Sequence, residues 1–201
     1  MSDTTTPATP AAPATRTIDG VEIPVAGVYD IDVAHTVVAF SVRHLMVSKT
    51  RGRFDSFSGT VTVAEDPTQS SVDVTLDVAS VNTNEAKRDE HLRSADFFDA
   101  EQFPTISFKS TGVTEHKGDT FKLTGDLTVH GVTKPVTLDA VLEGVATTPW
   151  GTSAAGFSAT TEIDREAFGL TYNAALETGG VLVGKTAKVE IEAELNRRAD
   201  A

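Results

Sequence analysis

The chain has no cysteine among its 201 residues. It can therefore form no disulfide framework, zinc–thiolate site or thiol nucleophile, and its stability has to come from burial and strand pairing. Basic residues are scarce relative to acidic ones, with 17 Lys and Arg against 29 Asp and Glu and a formal net charge of -12. Because a nucleic-acid-binding surface needs clustered cations, this balance argues against a nucleic acid partner. It still leaves room for a local basic site that holds one anionic head group.

Long apolar runs are missing as well. No stretch approaches the roughly 18 apolar residues of a membrane-spanning helix, so the sequence predicts no stable membrane insertion. The N-terminus has an acid where a secretory signal has bases, and no apolar run follows it, which predicts a cytoplasmic protein. Residues 1–26 are rich in Thr, Ala and Pro and are predicted to be a disordered tail, with a short C-terminal tail at residues 197–201. The length of the remainder, residues 27–196, fits one domain.

The dominant pattern in residues 27–196 is two-residue alternation of apolar and polar side chains. In residues 71–78, for example, Val72, Val74 and Leu76 alternate with polar neighbours, which is typical of a strand with one buried face. Similar segments recur along the domain and predict about eight strands, with one short helical segment between Asn84 and Pro104. A sheet with one apolar face has to fold on itself, and the periodicity allows either a sandwich or a closed antiparallel barrel.

A phosphate-binding loop pattern occurs near the C-terminus. Residues 179–186 read Gly-Gly-Val-Leu-Val-Gly-Lys-Thr and match this pattern letter for letter. Such a loop works only when a helix follows it, because the amides at the helix N-terminus hold the phosphates. Residues 187–195 instead alternate with a period of two, which predicts a strand. We interpret the match as a glycine-containing turn that enters the last strand.

The remaining polar residues form no recognisable catalytic or metal-binding pattern. The five histidines lack the spacing of a metal site, and the acids lie along predicted solvated strand faces, so we expect no metal, no cofactor and no catalytic residues. His44 shares a predicted strand face with Phe40 and Val42, where a polar group needs a partner. It is either a hydrogen-bonded core histidine or a polar anchor for a ligand head group.

Five sequence blocks follow one another along the domain. The first runs from Tyr-Asp-Ile-Asp at 29–32 through His35 to Val-Ala-Phe-Ser-Val-Arg-His at 38–44. The other four are Asp-Glu-His-Leu-Arg-Ser-Ala-Asp-Phe-Phe-Asp at 89–99, Phe-Pro-Thr-Ile-Ser-Phe at 103–108, Gly-Asp-Leu-Thr-Val-His-Gly-Val-Thr-Lys-Pro-Val at 125–136 and Asp-Arg-Glu-Ala-Phe-Gly at 164–169. In content and order these blocks resemble the YceI-like family, and the likeness covers roughly residues 27–196.

The resemblance implies an eight-stranded antiparallel lipocalin-like β-barrel with a short helical segment between strands. It also implies that the barrel encloses an isoprenoid lipid, either a polyprenyl phosphate or an isoprenoid quinone, as a carrier, store or shield, and that the protein is a homodimer. Many relatives carry an export signal, whereas this chain starts with a Thr/Ala/Pro-rich segment. Two other functions stay open, namely a filled-core barrel that acts as a protein-interaction module and an enzyme that acts on a small isoprenoid.

The expected ligand site consists of apolar side chains for the lipid tail and arginines for its head group. The tail is expected to contact Val38, Phe40, Val42, His44, Phe57, Leu92, Phe98, Ile106, Phe108, Leu127 and Phe168. The head-group candidates flank turns or strand ends and are Arg51, Arg53, Arg88 and Arg165. Small residues at inward positions would leave space in the interior of a barrel of this strand number.

Overall fold

A computed structural model describes residues 14–148, 151–175 and 180–199. In these residues the chain forms thirteen strands, one α-helix and three short 3-10 helices. The strands are β1 (Thr15–Ile18), β2 (Val21–Pro24), β3 (Gly27–Ile31), β4 (Val37–His44), β5 (Ser48–Phe54), β6 (Phe57–Val63), β7 (Ser71–Asp77), β8 (Val81–Asn82), β9 (Thr105–Lys117), β10 (Thr120–Val129), β11 (Val132–Thr147), β12 (Ser153–Asp164) and β13 (Val183–Arg197). The helices are α1 (Ala86–Arg93) and the 3-10 helices Pro67–Gln69, Val78–Ser80 and Arg165–Phe168.

Eight strands close into an antiparallel barrel, as predicted. The order around the barrel is β3-β6-β7-β9-β10-β11-β12-β13, and β13 pairs with both β12 and β3, so the ring has no free edge. Closure satisfies the hydrogen-bonding groups of strands whose inner faces alone are apolar. The periodicity allowed either a sandwich or a closed barrel, and the structure is the closed barrel.

Three further strands lengthen the barrel at one end. β4 follows β3 after a kink at residues 32–36, and β13 pairs with β4 over Val183–Glu192 and with β3 over Leu195–Arg197. β5 pairs with β4 along its whole length and with β8 through Arg53 and Phe54. The up-and-down topology brings the β4–β5 turn, α1 and the helix Arg165–Phe168 to this same end, which we call the helical end.

A β-hairpin lies at the opposite end and corrects the predicted disordered tail at residues 1–26. β1 and β2 pair around a turn in which Asp19 and Gly20 have φ of 50° and 82°. Ile23 of β2 is buried. The Thr/Ala/Pro-rich composition of the tail hides this short alternation of apolar residues, which is enough to form a strand with one buried face. Residues 1–13 of the predicted tail lie outside the described residues. At the C-terminus β13 extends to Arg197, one residue into the predicted tail, and residues 200–201 lie outside the described residues.

The hairpin is attached to the barrel by polar contacts. The Arg16 guanidinium bonds the Glu65 carboxylate at 2.7 Å and the backbone carbonyl oxygen of Ala64. Ser153 Oγ donates to the carbonyl oxygen of Ala14 at 3.2 Å. We call this end, which β1 and β2 cover, the hairpin end.

The helical segment predicted between Asn84 and Pro104 is confirmed, and Glu85 caps it. The Glu85 carboxylate accepts hydrogen bonds from the backbone amides of Lys87 and Arg88, at 3.3 Å and 2.7 Å. Asn84 has a left-handed backbone, with φ of 61°, and directs the chain into the helix. None of the helices in the described parts of the chain is long and apolar enough to cross a membrane.

Candidate ligand-binding site

The barrel encloses a cavity of about 590 Å³. This volume falls within the roughly 300–1,000 Å³ that small-molecule sites occupy. Most of the side chains that line it are apolar, because the inward positions of the alternating strands carry mainly apolar residues. On β13 the inward positions supply Ala187, Val189, Ile191, Ala193 and Leu195.

The cavity is long and narrow. Both Val183 at the start of β13 and Leu195 near its end contribute to the lining. With a rise of about 3.3 Å per residue and a strand tilt of about 40°, this span corresponds to about 30 Å along the barrel axis. The shape suits an extended, slender molecule better than a compact one.

The structure brings ten of the eleven predicted tail-contacting residues to the cavity wall. Phe168 is the exception, since its side chain is 2% exposed and packs in the core cluster at the helical end. The helix Arg165–Phe168 follows β12 and breaks the two-residue alternation, so strand parity does not carry over to Phe168. The ten residues at the wall are Val38, Phe40, Val42, His44, Phe57, Leu92, Phe98, Ile106, Phe108 and Leu127.

Two of the four head-group candidates lie away from the cavity. Arg51 and Arg53 are exposed on the outer face of β5, where they alternate with the cavity-lining Thr50 and Phe54. Arg53 Nε bonds Asp55 Oδ1 at 2.5 Å on that outer surface. The sequence analysis placed both arginines near turns or strand ends but assigned them to neither face of a strand. In the structure they alternate with the inward residues of β5, so their side chains point outward.

Arg88 and Arg165 do line the cavity, at its helical end. Arg88 Nε donates to Thr83 Oγ1 at 2.7 Å, and its Nη2 donates to the Thr83 carbonyl oxygen at 2.9 Å. The Thr83 hydroxyl in turn donates to the buried Asp89 carboxylate at 2.5 Å. These bonds fix the orientation of Arg88 on the first turn of α1.

Arg165 is buried and holds backbone together. Its guanidinium donates to the carbonyl oxygens of Gly184, at 2.8 Å, and of Leu170. Burial lowers the pKa of Arg165, while the carboxylates of Glu166 and Asp164 act in the opposite direction. An arginine starts from so high a pKa that it stays charged here. Arg165 therefore joins β13 to the segment after β12 and places a positive charge beside the cavity.

An aromatic group that the sequence reasoning missed surrounds the helical end of the cavity. The rings of His91, Phe97 and Tyr172 lie with their centroids 4.9–5.0 Å apart, and all three residues line the cavity. His91 Nε2 lies 2.7 Å from Asp96 Oδ2. Tyr172 belongs to a segment without alternation, so no sequence signal connects it with α1. His44 also lines this end, as the anchor interpretation requires.

Glycines accommodate two of the large rings in the wall. A Cβ atom added to Gly125 would overlap the ring of Phe108, and one added to Gly52 would lie 2.5 Å from Phe40 Cζ. These glycines thus make room for phenylalanine rings rather than for ligand. Ala140, Ala159, Ala187 and Ala193 line the cavity, as their inward parity predicts.

In the described residues 180–186, the phosphate-binding loop pattern leads into a strand and not into a helix. Lys185 and Thr186 lie within β13, whose first residue is Val183. Lys185 Nζ instead bonds Asp164 Oδ2 on the neighbouring strand at 3.1 Å. A strand follows the glycines, as predicted, and Gly179 lies outside the described residues.

One cluster of potential metal ligands lies outside the cavity. Asp32, His35 and Glu194 have ligand atoms within 4.8 Å of one another at the kink between β3 and β4. The hydrogen bond to Asp32 raises the pKa of His35, and the bond to His35 lowers the pKa of Asp32. Asp32 also accepts from Asn196 Nδ2 at 3.0 Å, so the cluster ties the kink to β13.

The fold and the cavity define a class of protein, a closed eight-stranded antiparallel barrel with an apolar interior of ligand size. The YceI-like domain model matches residues 29–195. The UPF0312 protein SAB2563 of Staphylococcus aureus is 40% identical over 172 residues, which cover 84% of this chain and 96% of that protein. The chain belongs to the YceI-like family, which confirms the resemblance seen in the sequence.

Solved structures show the same fold. The YCEI protein of Campylobacter jejuni is 32% identical, with a TM-score of 0.68 over 78% of this chain and 90% of that one. A protein from Saccharophagus degradans described as a polyisoprenoid binding domain is 16% identical, with a TM-score of 0.67 over 85% of this chain and 98% of that one. At that identity the second likeness concerns the fold alone.

Proposed function

We propose that this protein binds a long isoprenoid lipid inside the barrel and acts as its carrier, store or shield. The observation that supports this most is the apolar cavity that extends from Val183 to Leu195 along β13. An isoprenoid chain is slender and wholly apolar apart from its head group, and it matches both the length and the lining. A protein of the same fold from Saccharophagus degradans is described as a polyisoprenoid binding domain, which motivates this choice of ligand class.

The energetics favour retention of such a chain. Burial of one CH₂ group stabilises by about 0.8 kcal/mol, so each five-carbon isoprene unit contributes up to about 4 kcal/mol before ordering costs. A few units would therefore give tight binding. The cavity wall needs no specific polar contacts along the tail, which agrees with its nearly continuous apolar lining.

The head group is placed at the helical end in this proposal. Arg88, Arg165 and His44 line the cavity there, and charge-assisted bonds from arginine suit the phosphate of a polyprenyl phosphate. An isoprenoid quinone would use the same tail site and accept hydrogen bonds through its carbonyl oxygens. Both head groups are compatible with donors at this end of the cavity.

Binding is favoured over the two alternatives by specific features. A filled-core interaction module would have no cavity, whereas this barrel encloses about 590 Å³. An enzyme would need an acid–base pair that is shielded with its substrate. His91 lines the cavity and bonds Asp96, and their side chains are 41% and 55% exposed, which is the environment of a surface ion pair. His116 and Asp119 also line the cavity, and both are exposed. The homodimer and the cytoplasmic location stay predictions from the sequence.

The test is lipid uptake by a cavity-filling variant. Ala159 lines the cavity on β12, and the adjacent Thr160 is exposed on the outer face of the same strand. We expect Ala159→Phe to reduce the affinity for a polyprenyl phosphate or a quinone by at least about tenfold, because its ring would occupy the volume of ligand atoms. Thr160→Phe adds a similar side chain outside and should bind normally. Equal uptake by both variants would contradict binding in the barrel.

A further inference from the structure

The turn between β4 and β5 exposes three consecutive apolar side chains. The exposed fractions of Leu45, Met46 and Val47 are 38%, 56% and 80%. Single exposed apolar residues are ordinary on protein surfaces, but a contiguous run at the tip of a turn is not. The run follows His44, which lines the cavity, so it stands next to the helical end of the ligand site.

The backbone of this turn is unusual for the residues that form it. Leu45 and Met46 have φ of 51° and 60°, and Val47 N donates to the His44 carbonyl oxygen at 3.2 Å. Tight hairpin turns with positive φ at both central positions favour Asn and Gly, because other residues are strained there. Leucine and methionine are thus poor choices for the turn itself. Their presence calls for a role outside the fold.

Cations flank the apolar tip. Residues 37–54, which contain the whole β4–β5 hairpin, carry four Lys or Arg and no Asp or Glu, in a chain of net charge -12. Arg43 and Lys49 are exposed and lie directly opposite each other in the β4–β5 register, beside the tip. Like charges in such a position destabilise a sheet unless an anion neutralises them.

Acidic groups near this hairpin are paired with cations. Asp164 and Glu166 both bond Lys185. Lys185 is next to Gly184, which lies close to Arg43. Glu190 of β13 aligns with Ala39, and Lys188 chiefly lowers its pKa, with smaller contributions from Lys49 and Arg51. Asp55, beyond the end of β5, holds Arg53. Within the hairpin, Arg43 and Lys49 are the cations nearest in sequence to the exposed apolar side chains.

We propose that residues 43–49 dock the helical end of the barrel onto the surface of a bilayer that is rich in anionic lipid. Apolar side chains that project beyond a collar of cations match the two layers of such a surface, the acyl boundary and the charged head groups. The otherwise acidic chain would be repelled in other orientations, which selects this one. In the docked state the helical end of the cavity would face the acyl chains of the bilayer, in which isoprenoids dissolve. Docking does not rest on the proposed lipid binding, because the side chains of Leu45, Met46, Val47 and Lys49 are not part of the cavity lining.

The test is flotation of the full chain with vesicles. We expect co-flotation with vesicles of phosphatidylcholine and phosphatidylglycerol in equal amounts, little with phosphatidylcholine alone, and weaker binding at high salt. The double variant Leu45→Asn/Met46→Gly places the favoured residues in the turn, so it should fold at least as stably as the parent. We expect it to lose about tenfold or more of the partition coefficient.

Matched controls separate the turn from general surface effects. Val33 is an exposed apolar residue at the kink, with 54% exposure, and Val33→Asn should float like the parent. Lys49→Gln should reduce binding several-fold and weaken its salt dependence, whereas Lys117→Gln at the opposite end of the barrel should change little. Absence of flotation of the parent, or unchanged flotation of the double variant, would overturn the proposal.

A single fluorescent label supplies a second measurement. Because the chain has no cysteine, Val47→Cys introduces one unique labelling site. An environment-sensitive dye there should shift to the blue with anionic vesicles, and the same dye on Lys117→Cys should not. Concentration-dependent dimers in analytical ultracentrifugation that Leu45→Asn/Met46→Gly abolishes, without a vesicle-induced shift, would overturn membrane docking and assign the turn to a second copy of the chain.

Discussion

The ring of Phe40 lies against the backbone of Gly52, its direct partner across the β4–β5 ladder. A Cβ atom at position 52 would lie 2.5 Å from Phe40 Cζ and 2.8 Å from Thr83 Cγ2. We therefore expect Gly52→Ala to destabilise the protein by about 1–3 kcal/mol, as overpacking typically does. The ring would also be forced toward the cavity. Denaturant unfolding and ligand titration measure the two effects.

A glycine elsewhere in the barrel provides the control for this prediction. At Gly112 on β9 an added Cβ would meet only Thr124 Oγ1 at an ordinary 3.5 Å, so Gly112→Ala should be neutral or slightly stabilising. A combination of Gly52→Ala with Phe40→Leu should recover part of the lost stability, because the two positions share one contact. Additive losses in that double variant would contradict the assigned packing.

Arg88 should distinguish the two candidate head groups. It lines the helical end of the cavity and is oriented by Thr83. A hydrogen bond to a charged group contributes about 1.5–3 kcal/mol, so we expect Arg88→Gln to weaken polyprenyl phosphate binding by roughly 10- to 100-fold. Quinone binding should change far less. Arg53→Gln, on the outer face, is the matched control, and an equal loss for both variants would argue for a non-specific charge effect.

The Asp32–His35 pair should make the kink between β3 and β4 sensitive to pH. The bond between them, with 3.1 Å from His35 Nδ1 to Asp32 Oδ2, raises the pKa of His35 above its ordinary 6.5 and lowers that of Asp32 below 3.8. The contribution of His35 to the free energy of unfolding is fully present below the unfolded-state pKa of His35. It is lost as the pH rises through the raised pKa of the folded state. The contribution of Asp32 is present above its unfolded-state pKa and is lost as pH falls through the lowered value.

The kink should therefore be most ordered between the lowered pKa of Asp32 and the raised pKa of His35. An NMR titration of the His35 ring measures the second boundary directly. Asp32→Asn should return the pKa of His35 toward its ordinary value. A His35 titration that is identical in the parent and in Asp32→Asn would contradict the pair.

Arg16 should control access to the hairpin end of the cavity. It bonds Glu65 and Ala64 and so fastens β1 and β2, whose residues Ile23 and Pro24 contribute to the lining. We expect Arg16→Gln to raise amide exchange in the hairpin and to accelerate ligand release several-fold, with little change in global unfolding. Lys109→Gln, an exposed change on β9, should leave both rates unaltered. Unchanged release from Arg16→Gln would place the exchange route elsewhere.

Strand periodicity predicted most of the barrel because inward and outward positions differ sharply in polarity. β13 is the clearest case, since Val189, Ile191 and Ala193 face the cavity and Lys188, Glu190 and Glu192 alternate with them. The alternation also rejected the phosphate-binding loop. It left open whether the sheet closes, because closure depends on the pairing of β13 with both β12 and β3 and leaves no local signature.

The missed features lie where the alternation stops. Phe168 follows β12 in a 3-10 helix, and Tyr172 belongs to a segment without regular structure, so parity assigns neither of them a side. On β5 the inward positions are Thr50, Gly52 and Phe54, a mixed set that gives no apolar stripe and hid the outward direction of Arg51 and Arg53. Tertiary contacts, not local pattern, decide these positions.

The most direct test of isoprenoid binding is native mass spectrometry of the intact protein, purified without detergent from its natural host, followed by analysis of an organic extract. We predict one lipid per barrel, with the mass of a polyprenyl phosphate or an isoprenoid quinone in the extract. Thr160→Phe should retain this lipid, and Ala159→Phe should lose it while its circular dichroism spectrum stays that of the folded parent. Well-folded parent protein that carries no lipid and takes none up on mixing would contradict the account.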